Sequence, residues 1–356
     1  LTATTRVSSL IDLHEADGTL TLNNITLDGL TTSKATSGLI YRCKGPLVAQ
    51  NISIANITAP LANYSSAFVS ILEDQGTFTD ITVDNYTLTN VITFFTNLSG
   101  LVSNYTSNSP LSFTNVAVNG ITINGNSNSK VGSLLGAVEV FYTPNLTVNS
   151  CSVINGFIRG KNTGGLLGSL YINNLQMDNS SYEGSLPDGG NSTLGGLIGS
   201  MSGTSATINS SYVKSDVTVW TGVGGGLIGT TSATTVNINN SFYRGNVTST
   251  DSSSGVVGGI FASMSAGTLT LTNVYAAGSV SGNFKKGCIG GYKPSGTLVA
   301  NDVYYDSTLC TTNAVDSGAF SGITGSNTAT MQPSSPFTNW SSGTWLFSLG
   351  FYPELQ

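Results

Sequence analysis

Apolar and polar residues alternate with period two along most of the chain. Leu20 and Leu22 flank Thr21, Leu111 and Phe113 flank Ser112, and Leu269 and Leu271 flank Thr270. Side chains at i and i+2 share one face of a strand, so the leucines predict a buried face and the hydroxyl residues a solvent face. β-branched Thr suits a pleated surface, which strengthens the strand assignment. No 3.6-residue period is sustained anywhere, so helices are not expected.

The alternation recurs in one frame. Segments 18–29 (GTLTLNNITLDG) and 267–278 (GTLTLTNVYAAG) match across most of the chain, and GGLLG at 164–168 returns as GGLIG at 195–199 and 225–229. Small residues preceding an apolar pair mark each copy: Ser9, Gly38, Ala67, Gly100, Ser133, Gly165, Gly196, Gly226 and Gly259, with Cys288 before a lone Ile289. A second column holds Asn24, Asn51, Asp80, Asn115, Ser150, Ser180, Ser210, Asn240, Asn273 and Asp302. Asn, Asp and Ser bond to nearby backbone and tolerate turn conformations, so this column predicts a corner repeated on every turn. A row of ligands is the less favoured reading. Gly29, Gly120, Gly156, Gly184, Gly245 and Gly278 follow it and predict a second bend.

A repeat near 30 residues with strand periodicity predicts an all-β, single-domain parallel β-helix (β-solenoid) of about ten turns, ~30 residues per turn. At a strand spacing of about 4.8 Å the rod would be roughly 48 Å long. Residues 1–306 are assigned to the repeats and 307–356 to a closing segment. In that segment Trp340, Trp345, Phe347, Phe351 and Tyr352 are expected to fold over the last turn as an aromatic cap. The first turn, Leu1 to Ile11, shows no comparable cap, which raises head-to-tail association through open strand edges.

Composition narrows the function classes. Charged residues are only 8% of the chain, whereas Ser and Thr number 95, so the solvent face is built from hydroxyls and amides. The net charge of −6 offers no basic stripe for phosphates, so nucleic acid is not an expected partner. No apolar run is long enough for a transmembrane helix. The chain opens at Leu1 without an initiator Met or signal peptide and is read as a mature protein or a fragment.

Catalytic chemistry finds little to work with. His14, the single histidine, sits beside Glu15 and Asp17 in a turn, where a surface histidine is the plain reading. Glu73 with Asp74, and Asp302 with Asp306, lack the companions that polysaccharide cleavage would need. No catalytic, cofactor or metal site is therefore assigned. Outward Thr pairs (Thr19/Thr21, Thr77/Thr79, Thr268/Thr270) raise an ice-binding face, although Ser112, Val148 and Thr207 are read as breaks in it. Cys288 and Cys310 lie close enough to close one loop. Cys43 and Cys151 are expected unpaired, or Cys43 bonded to another chain.

Asn-x-Ser/Thr sequons number 14. Asn63, Asn97, Asn104 and Asn191 are read as loop sites best suited to glycans, followed by Asn85, Asn145, Asn246 and Asn339. Asn24 and Asn51, inside the corner column, are expected to be buried. Asn149, Asn179, Asn209 and Asn239 are read as an outward column. Tyr64, Tyr105 and Trp220 are candidate exposed aromatics for a glycan-binding alternative.

The GGLIG core, followed by TLxLxNxYxxGxV, resembles the GLUG repeat of secreted and surface-attached proteins, most clearly over residues 164–306. Tyr304, Tyr305 and Asp306, residues 323–331, Trp340, Trp345, Tyr352 and Pro353 resemble the segment that closes such arrays. The resemblance implies a solenoid in an extracellular or cell-surface setting and carries no catalytic residues. The resulting expectation is a non-enzymatic structural or adhesive module of a secreted, N-glycosylated surface or fibre protein. Its partners would be other copies of itself, surface proteins or glycans.

Overall fold

The computed structural model describes residues 7–8, 10–15, 18–31, 36–60, 64–89, 96–251, 253–316, 318, 320–332 and 336–356. Ser9, Asp17 and Asn63 lie outside them. The chain is a parallel β-solenoid of about 9 turns at ~31 residues per turn, and among the described residues one short helix is present, Thr328–Met331.

One turn shows how the sequence makes the coil. Strand Val223–Gly225 ends at the Gly226 bend, and Ile228–Thr231 follows. A short connection leads to Thr235–Arg244, then Val247–Ser249, and a loop climbs to Val256–Gly258 of the next turn. Each strand pairs in parallel with its counterpart one turn away. At the bend, a Cβ on Gly196 or Gly226 would overlap the carbonyl oxygen of Gly226 or Gly259 on the next turn, so the double-glycine motif lets adjacent turns close to strand spacing.

The corner column is present and left-handed. Asn24, Asn51, Asp80, Asn115, Ser150, Ser210, Asn240, Asn273 and Asp302 all have φ between 46° and 55°. On the remaining turn the corner is Asn179 (φ 49°), not Ser180. Register pairs Asn149 with Asp178 and Asp178 with Asn209, which puts Asn179 at the bend. Ser180 sits one step inward and is buried. Its hydroxyl donates to Asp178 O (2.8 Å) and accepts from Cys151 N (3.2 Å). Asn and Asp carry a short polar side chain that makes this conformation tolerable for an L-residue.

Corner side chains point outward, so Asn24 and Asn51 are exposed rather than buried. Their amides run between turns: Asn51 Nδ2 donates to Asn23 Oδ1 (3.3 Å), Asn115 to Asp80 (2.5 Å), Asn240 to Asn209 (3.3 Å) and Asn273 to Asn240 (3.1 Å). A second left-handed corner runs along the early turns. Asn56, Asn85 and Asn155 share it with Gly29 and Gly120, so amides serve where glycine alone was expected. It ends where the register shifts between Val153 and Gly156.

Inside, like residues stack along the axis. Leu111, Leu146, Leu175, Ala206, Val236 and Leu269 form one buried file. Phe68, Phe78 and Phe113 fill the early turns, with ring centroids 5.3 and 5.2 Å apart.

The boundary expected at 306 is not where the coil stops. Ile323–Ser326 pairs with the preceding strand, Ile289 N donates to Ala314 O, and Val315 bridges Gly290, so 307–326 adds a partial turn over the end. Cys288 and Cys310 are disulfide-bonded, with Cα atoms 5.7 Å apart, and tie that partial turn down. The aromatic segment lies elsewhere than expected. Residues 327–332 and 336–356, here called the strap, fold back along the side of the coil instead of over its end.

Candidate functional site

Two outer surfaces and one junction stand out. The broad face consists of the outward positions of the strand before the corner. Thr77, Ser112, Thr147, Gln176, Thr207, Asn237 and Thr270 form one column. Thr79, Thr114, Asn149, Asp178, Asn209, Asn239 and Thr272 form the next. Asp178 is the only charged side chain in the two. Val148, expected outward, is fully buried and Thr147 takes the outward place. Gln176 and Asn237 interrupt the threonines. Asn179 belongs to the corner, and Asp178 takes its place in the column with Asn149, Asn209 and Asn239.

The flank lies beyond the corner. Two residues past it, one outward column runs Thr26, Ser53, Thr82, Ala117, Ser152, Ser181, Tyr212, Phe242, Tyr275 and Tyr304. The last four are aromatic. Tyr212 and Phe242 stack at 4.9 Å, and Phe242 and Tyr275 at 5.0 Å. The sequence reading missed this file, although Tyr212, Phe242, Tyr275 and Tyr304 each follow a corner residue by two.

The strap covers those aromatics with Met331, Phe337, Trp340 and Trp345. Tyr275 Oη donates to Pro353 O (2.7 Å), and Tyr352 Oη donates to Asp306. Glu354 forms ion pairs with Arg244 and with Lys214 (3.4 Å), and Lys214 also pairs with Glu183 (3.7 Å). Burial, together with the Asp306 carboxylate, pushes the Tyr352 hydroxyl up to about 12. Asn339 Nδ2 donates to both Asp302 oxygens at 3.4 and 3.3 Å, which continues the corner ladder into the strap.

At the upstream edge of the strap lies a pocket of about 260 Å³ lined by Asn179, Ser210, Tyr212, Gly343, Thr344, Leu355 and Gln356. A smaller one, about 150 Å³, is lined by Asp12, Leu13, Tyr41, Arg42 and Lys44 on the early turns.

The sequon candidates separate sharply. Asn85, Asn145, Asn191, Asn246 and Asn339 are exposed. Asn97 and Asn104, expected in loops, are buried in strands Thr96–Ser99 and Val102–Tyr105. Asn97 Nδ2, the atom a glycan would occupy, donates to Asn104 Oδ1 (2.7 Å) and Glu139 Oε1 (3.2 Å). Loop and inner polar strand look alike in sequence when the inner polar groups satisfy one another.

Of the aromatics proposed as exposed, Trp220 is 59% exposed, Tyr64 is half-buried and Tyr105 is buried, its hydroxyl donating to Ser109 O (2.7 Å). Cys43 and Cys151 are free and buried, and burial raises their thiols to about 11 and about 12. Neither is a ready nucleophile, and a bond from Cys43 to another chain would require its turn to open. His14 lies in strand Ile11–His14, its ring 3.1 Å from Gly18 O, and Glu15 pairs with Lys44 (2.7 Å). Glu73 pairs with Arg42. Asp306 is buried and accepts from Thr308 N, Thr328 Oγ1 and Tyr352, which makes it a hub for the closing segment. Among the described residues, no three His, Cys, Asp or Glu side chains gather as metal ligands, and no helix is long and apolar enough to cross a membrane.

No family model, curated protein or solved structure matches the chain.

Proposed function

We propose that the protein is a non-catalytic structural or adhesive module of a secreted cell-surface or extracellular fibre protein. It would act as a stiff spacer that carries glycans on its outer surfaces. The observation that carries this reading is the corner column, a continuous file of left-handed residues in which Asn51, Asn115, Asn240 and Asn273 donate their amides across to the adjacent turn. A coil in which each turn contacts only its neighbours gains stiffness from every such cross-link. The GLUG-like motifs support the assignment, the disulfide favours an oxidising compartment, and exposed sequons at Asn145, Asn191 and Asn246 suit a glycan coat. The strands Ile11–His14 and Leu20–Asp28, with Leu10 52% and Leu13 46% exposed, suit contact with another copy.

Electron cryo-microscopy of native material tests this. Filaments joined through the first turn, with density on the exposed sequons, are expected. Isolated rods without added density at any asparagine would overturn the fibre and glycan-coat reading.

A further inference from the structure

We propose that the pocket between the strap and the solenoid flank is a subsite for one neutral pyranose ring of a glycan. Its walls join two separate pieces of chain: Asn179, Ser210 and Tyr212 from the coil, and Gly343, Thr344, Leu355 and Gln356 from the strap. No lining side chain is charged, so the chemistry selects a neutral ligand. A volume of about 260 Å³ lies just under the range of pockets that enclose drug-sized ligands, roughly 300–1,000 Å³, and suits a single ring.

A pyranose offers a C–H face that packs on an aromatic ring and a rim of hydroxyls that need donors and acceptors. The pocket supplies both. Tyr212 begins the aromatic file. Its downstream face is stacked on Phe242 at 4.9 Å with the rings 5° from parallel, while its upstream neighbour in the column is the small Ser181. Lys214 Nζ lies 4.9 Å from the Tyr212 centroid and 6.0 Å from that of Phe242, which places it beside the stacked pair and off the upstream face. The ring is held in orientation by its hydroxyl, which bonds to Glu183 Oε1 (3.1 Å). One aromatic face is thus presented without an aromatic partner, as sugar stacking requires.

The polar groups are also free to serve. Asn51, Asn115, Asn240 and Asn273 spend their amides on the adjacent turn. The exposed Asn179 carboxamide makes no hydrogen bond within the described residues, nor do the Ser210 and Thr344 hydroxyls. Gln356 Nε2 donates to Ser342 O (2.6 Å) and to Trp345 O (3.4 Å), which leaves its amide oxygen to accept. An amide, two hydroxyls and an amide oxygen around a tyrosine ring form a neutral set complementary to sugar hydroxyls.

The proposal does not rest on the fibre reading, and a free rod could carry the same subsite. The test is saturation-transfer NMR of the full chain with the methyl glycosides of glucose, galactose, mannose and N-acetylglucosamine. Transfer to at least one is expected, with a Kd near about 1 mM. Asn179→Gly keeps the left-handed corner and removes the amide, and Thr344→Val removes the hydroxyl while keeping its shape. Each should weaken binding by roughly tenfold, with tryptophan emission unchanged as the sign that the strap stays docked. Absence of transfer to all four sugars at tens of millimolar overturns the proposal whatever the variants do. So does binding that neither substitution weakens.

Discussion

The same outward column behaves differently in the two halves of the rod. Its first six positions are Thr26, Ser53, Thr82, Ala117, Ser152 and Ser181, small residues beside the corner ladder. Over the next four it holds Tyr212, Phe242, Tyr275 and Tyr304, three of them stacked and two fully buried. The backbone is equivalent in both. What differs is side-chain size, and a file of large rings with a turn-to-turn spacing close to ring-stacking distance becomes an apolar stripe that must be covered. The strap covers it. Corner and core therefore specify the coil, while one column on the flank specifies what docks against it.

Breaking the cover should have the largest effect. Trp345 is 1% exposed and packs on Trp340 (4.4 Å), Tyr275 (6.0 Å) and Phe242 (6.2 Å). Trp345→Ala should cost about 3–5 kcal/mol of strap docking. Limited proteolysis should then cut the strap while the coil resists. Next comes the partial turn. Replacing both Cys288 and Cys310 with Ser opens a link across 22 residues and should lower stability by about 3 kcal/mol in denaturant titrations.

Alkali offers a smaller effect of defined sign. Tyr352 is raised from 10.0 to about 12, so the folded state holds this proton longer than the unfolded chain. Its contribution is complete below pH 10 and falls as pH rises towards 12. Because the hydroxyl is partly exposed, solvent screens it and the loss is about 1 kcal/mol. Tryptophan emission should change across that window before far-UV circular dichroism does. A contrast of similar size lies in the ladder. Asn240→Ala and Asn240→Gly both lose two amide bonds, but only Ala also strains the left-handed corner, so Ala should be the less stable of the two by about 1 kcal/mol. Equal effects of the two substitutions in thermal melts would remove the corner from the account.

The coil was legible because each of its constraints recurs. Period-two alternation gave the strands, the double glycines gave the close bend, and nine of the ten corner residues stood where spacing placed them. The one miss, Ser180 for Asn179, arose because Asp178, Asn179 and Ser180 are all turn-compatible and only hydrogen-bond register separates them. Inner polar residues were not legible. Asn97 and Asn104 satisfy each other inside the coil, and nothing in their local sequence distinguishes that from a loop. The strap's tryptophans were visible as an apolar cluster, but their docking face was not, because it depends on Tyr212, Phe242 and Tyr275 converging from three turns. The sugar subsite was hidden for the same reason, since its walls meet only after the strap folds back.

The most direct test of a self-sufficient coil with a separate cover is a chain shortened after Ser326. The rod predicts a far-UV spectrum of unchanged strand content and a newly exposed aromatic flank that binds a hydrophobic dye. A shortened chain that is unfolded, or one folded with no gain in dye binding, would contradict the account.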